Sequence, residues 1–66
     1  MSTFYALLND LYADAIRENR NYFNIPASEP HHNDNGAIVE WAQRHAHISL
    51  ESIGPGWGFT TVIFKK

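Results

Sequence analysis

Sixty-six residues carry five Lys and Arg against seven Asp and Glu, a formal charge of −2, with 44% hydrophobic and 14% aromatic residues; this is globular composition, and it offers a polyanion no clustered cations. Cysteine is absent, which excludes disulfides and thiolate metal sites together and leaves oligomerisation as the staple for a small core. No basic segment precedes an apolar run and no apolar stretch approaches the ~20 residues a membrane helix requires, so the expectation is a soluble, cytoplasmic protein of one small domain without a membrane partner.

From Phe4 the apolar residues fall at Phe4, Leu7, Leu8, Leu11, Tyr12, Ala15 and Ile16. That i, i+3, i+4, i+7 recurrence predicts an amphipathic helix over about residues 3–21. Ser2 or Thr3 can cap its start, and Arg17 and Arg20 lie where the helix dipole favours cations. Phe23, seven residues after Ile16, could extend the apolar stripe, whereas Asn19, Asn21 and Asn24 weaken helix and Pro26 discourages it beyond Asn24. Asp10, Asp14 and Glu18 line one helix face at i, i+4 spacing, where like charges repel mildly. Such a stripe is either a solvated face or an acidic surface for a basic partner.

Residues 24–35 are polar and turn-rich, with Pro26, Pro30 and the start of the run His31-His32-Asn33-Asp34-Asn35-Gly36, and are expected to form an exposed loop. A second helix is predicted over about 36–45, capped by Asp34 or Asn35, with Ile38, Trp41, Ala42 and His45 on one face. The histidines come in two pairs, His31 with His32 and His45 with His47. Imidazole ligates metals and titrates near physiological pH, but neither spacing matches a zinc signature such as HExxH, so neither metal nor cofactor is expected. The exposed pair His31 and His32 is instead a candidate partner contact.

The C-terminal residues 47–64 read as a β-hairpin. Two β-branched and aromatic runs, Ile48 to Ile53 and Phe59 to Phe64, flank Gly54-Pro55-Gly56-Trp57-Gly58. Side chains alternate along a strand, so Phe59, Thr61 and Ile63 point one way and Thr60, Val62 and Phe64 the other. A last strand apolar on both faces wants cover on both. The fold class predicted is therefore α+β: two helices packed on a small C-terminal antiparallel hairpin, the sheet completed by dimerisation.

No nucleophile motif surrounds Ser28, Ser49 or Ser52, and the carboxylates serve no recognisable pair, so an enzyme is not expected. The face around Glu40, Gln43 and Arg44 holds one net-neutral set of charges, which argues against nucleic acid as a partner. The expected function is a non-enzymatic protein-interaction module, acting as a homodimer and comparable in size and character to the small inhibitors that phages direct at host proteins. Its partner-binding candidates are Asp10, Asp14, Glu18, His31, His32 and the aromatic Trp57. The alternative is sequestration of an anionic or nucleotide-like small ligand, with backbone N–H groups of Gly54, Gly56 and Gly58 cradling it beside the Trp57 indole.

Overall fold

The computed structural model describes residues 3–65. Helix α1 spans Thr3–Arg17, strand β1 Tyr22–Pro26, helix α2 Asn35–Trp41, strand β2 Leu50–Gly56 and strand β3 Phe59–Phe64. A π-helical turn, Ala42–Ala46, continues α2. The architecture is α+β, two helices against a three-stranded antiparallel sheet ordered β1-β3-β2.

Helix α1 stops four residues short of its expected end, and the reason is local. Asn19 sits in the left-handed region at φ +58°. Its N–H donates to the Ile16 carbonyl at 3.0 Å, and the Arg20 N–H donates to the Ala15 carbonyl at 2.7 Å. Those two bonds are a Schellman cap, which asparagine supports because its short polar side chain tolerates that backbone. The chain then turns directly into β1, a strand where a helix end and loop were expected. Its burial alternates, Phe23 and Ile25 inward and Tyr22, Asn24 and Pro26 outward.

Strand β1 takes the lateral place beside β3, pairing Phe23 with Val62 and Ile25 with Thr60. On the other side β2 pairs Ile53 with Val62 and Gly56 with Phe59, with a bulge between Leu50 and Ser52 that leaves Glu51 unmatched. The central strand β3 is thus flanked from within the chain on both edges.

The core lies between this sheet and the helices. Phe4, Leu8 and Ala15 from α1, Phe23 and Ile25 from β1, Ile38, Trp41 and Ala42 from the α2 side, and Val62 and Phe64 from β3 are all buried. Tyr12 meets the Trp41 and Phe64 rings edge-on, and Phe23 meets Trp41 the same way, the geometry aromatic quadrupoles favour. Both helices cover one face of the sheet. The opposite face carries Tyr22, Phe59, Thr61 and Ile63, and it is partly shielded from within. The Phe59 ring lies over Gly56, and the Arg20 guanidinium stands 5.4 Å from the Tyr22 ring centroid. No helix among the described residues is long and apolar enough to cross a membrane.

Candidate interaction surface

The β2–β3 connection is tighter than the five-residue loop expected. Gly54, Pro55 and Gly56 belong to β2, and only Trp57 and Gly58 form the turn. Gly58 has φ +75° while Trp57 does not have positive φ, the dihedral pattern of a type II turn, which needs glycine at its second central position. The Gly58 carbonyl also accepts a hydrogen bond from the Ala27 N–H at 3.0 Å, tying the tip to the segment after β1. Trp57 rides on this pinned turn and is 97% exposed. An indole is a large apolar surface with one polar handle, the kind of side chain enriched where one end meets a partner and the other stays wet.

A two-residue turn fixes which backbone groups of β2 face outward. Gly56 and Phe59 close the hairpin as a hydrogen-bonded pair, and alternation makes Gly54–Thr61 and Ser52–Ile63 hydrogen-bonded pairs as well. The N–H and C=O of Ile53 and the C=O of Pro55 therefore point to the open edge of the sheet. Pro55 loses no ladder bond there, having no N–H to give, and Pro26 occupies the corresponding outward position on β1.

Between that open edge and α2 runs a groove. One cleft of about 320 Å³ is lined by Val39, Ala42, Gln43, Ile48, Ser49 and Leu50. A second, about 270 Å³, is lined by Asn33, Asn35, Ile53, Gly54, Pro55 and Thr60. Asn35, Val39 and Gln43 follow one another at four-residue spacing, so a single helical stripe forms one wall of both clefts. Among the described residues Thr60 is the one buried polar residue, and its hydroxyl is 2.9 Å from Nδ1 of His32. No family model, curated protein or solved structure matches the chain.

The remaining candidates are scattered. Asp14 is paired with Arg17, and Glu18, one residue beyond the end of α1, lies 3.3 Å from Arg20, so two of the three predicted carboxylates are already engaged by cations of the chain. His31 and His32 diverge. The His31 ring is exposed, 5.8 Å from the Phe4 ring, while His32 turns inward to Thr60. Asp34 caps α2, its Oδ1 accepting the Ala37 N–H at 3.1 Å. His45 does not join Trp41 in the core but stands exposed, 4.8 Å from the Tyr5 ring. Among the described residues no three His, Asp or Glu side chains gather as metal ligands would.

The Gly54–Gly58 ligand cradle is not supported by this geometry. Gly54 and Gly56 lie in an extended strand with their N–H groups committed to β3, whereas an anion-binding nest needs successive N–H groups turned to one point. Of the predicted residues, Trp57 stands almost wholly in solvent at the hairpin tip, and Asp10 and His31 are exposed elsewhere on the surface. The groove was missed in the sequence, although its signal was present as polar and β-branched residues at four-residue spacing on the non-core side of α2.

Proposed function

We propose that this protein is a non-enzymatic protein-interaction module that works by occupying a surface of a partner protein, with Trp57 as its anchor. The observation that carries the reading is the 97% exposure of Trp57 on a turn fixed by Gly58 and Ala27. A backbone turn set before binding spares the cost of ordering the loop, and aromatic residues dominate interface energetics. Blocking by occupancy, in the manner of a small inhibitor, needs nothing further from the chain.

A second copy of the chain stays a candidate partner, at the open edge of β2 and not beside β3. Strand β1 already fills the place beside β3 that a dimer was expected to fill.

The test compares wild type and Trp57→Ala as bait, followed by titration of the protein retained. Removing an interface anchor weakens binding by about 2 kcal/mol, roughly thirtyfold, with the urea midpoint unchanged. A partner held equally by both forms, or loss of the fold in the variant, overturns the assignment.

A further inference from the structure

We infer that the partner contributes an extended segment that adds as a fourth strand to the open edge of β2; this rests on the interaction reading and names its mode. Two independent features of the β2 side converge on it. The first is the hydrogen-bonding edge, where the Ile53 N–H and C=O and the Pro55 C=O face outward because Gly56–Phe59 closes the hairpin. The second is the groove beside that edge, with Asn35, Val39 and Gln43 on its helix wall and Leu50 and Ile53 on its strand wall. A strand laid against β2 would sit about 4.8 Å from it and send every second side chain toward the helix layer. Those side chains fall into the two clefts. Backbone pairing supplies affinity in this mode and the clefts supply specificity.

The clefts also set the chemistry of the occupant. No charged side chain lines either of them, so charge complementarity selects uncharged residues at both pocketed positions. The cleft at Gln43, Ser49 and Val39 presents more polar than apolar surface and suits a residue that hydrogen-bonds, such as Thr, Ser or Asn, whose carbon atoms would also cover the exposed Val39. The cleft at Ile53, Gly54 and Pro55 is the more apolar and suits an aliphatic side chain, since the Thr60 hydroxyl at its floor is already bonded to His32. The bulge at Glu51 and the missing N–H at Pro55 limit the pairing to a short stretch centred on Ile53. A short edge also discourages unselective pairing with other strands.

The full chain is panned against a phage-displayed library of random linear peptides, and enriched peptides are synthesised and titrated. The expected winners are extended sequences with an aliphatic residue and a hydroxyl or amide residue two or four positions apart. Binding slows hydrogen exchange at the Ile53 N–H by at least about tenfold, and N-methylation of the peptide at the paired position abolishes it. Val39→Glu, an exposed change that leaves the fold intact, weakens binding by about tenfold or more, while Trp57→Ala leaves these short peptides bound. No enrichment, or binding that leaves Ile53 exchange unchanged, overturns strand addition. So does protection of Ile53 in the free protein that grows with concentration, because a second copy then holds the edge. A natural partner that is lost with Trp57→Ala but kept with Val39→Glu leaves the interaction reading standing and removes only its mode.

Discussion

The indole N–H of Trp41 donates to Oδ1 of Asn9 across 2.8 Å, joining α2 to α1 through a fully buried side chain. Trp41 is the largest buried side chain of the core, and Asn9 reaches it from the exposed side of α1. The bond lets an otherwise apolar core bury an indole without stranding its one donor.

Replacing Asn9 tests that role. Asn9→Leu leaves the N–H without a partner and blocks water from reaching it, at an expected cost of about 1–3 kcal/mol. Asn9→Ala costs less, because water can enter the vacated space. In a Trp41→Phe background, which lacks the donor, Asn9→Leu should be nearly neutral; urea unfolding of the four proteins reads the coupling directly. Equal cost in both backgrounds would show that Asn9 acts through α1 alone.

The two outer-face glycines of β2 should respond oppositely to alanine. A Cβ on Gly56 would lie 2.4 Å from the Phe59 ring, too close unless the ring swings off the sheet, whereas a Cβ on Gly54 meets nothing within 4 Å. Gly54→Ala is therefore expected to stabilise by about 0.5 kcal/mol through the unfolded chain's lost freedom. Gly56→Ala destabilises by about 1 kcal/mol, the cost of displacing a half-buried aromatic. That cost shrinks in a Phe59→Ala background. Thermal melts resolve both, since 1 kcal/mol moves Tm by about 4–8 °C in a domain this small.

Much of the fold is legible in the sequence. The α1 stripe and the hairpin follow from periodicity alone, because in each a single period holds long enough to exclude the other. Strand β1 was not legible. Phe23 and Ile25 alternate with Tyr22, Asn24 and Pro26 as a strand should, but five residues carry little signal, and Phe23 also fits the helical stripe ending at Ile16. What decides between the two is Asn19, whose left-handed backbone ends the helix; the low helix propensity of asparagine does not by itself locate a cap. Of the candidate site, Trp57 was visible as an aromatic among glycines. The groove was not, because a groove belongs to two elements whose juxtaposition only the fold supplies.

The π-helical turn rests on a second left-handed residue. His47, at φ +55° and ψ 45°, closes the turn, with its own N–H donating to the Ala42 carbonyl and the Ile48 N–H donating to the same oxygen at 2.9 Å. A side chain in that region is strained and glycine is not. His47→Gly should raise stability by up to about 1 kcal/mol, whereas β-branched His47→Val lowers it by about 1–2 kcal/mol. Chemical denaturation of the pair checks the sign of each. Destabilisation by both would mean that the imidazole makes a contact worth more than the backbone strain.

The two tryptophans lie in opposite environments, one wholly buried and one 97% exposed, which turns intrinsic fluorescence into a test of the anchor. With Trp57→Phe, the remaining emission comes from Trp41 and should be blue-shifted and shielded from acrylamide. A Trp41→Phe protein that stays folded should emit at the wavelength of a solvated indole and quench readily. Adding the partner, or a peptide that binds β2, then separates two surfaces. Engagement of the hairpin tip shifts Trp57 emission to the blue and protects it from quencher. A segment confined to the groove leaves Trp57 unchanged. If a partner whose binding is lost on Trp57→Ala leaves Trp57 emission and quenching unaltered, the indole is not buried in the interface. Its substitution must then act through the turn at Gly58, and the anchor assignment fails.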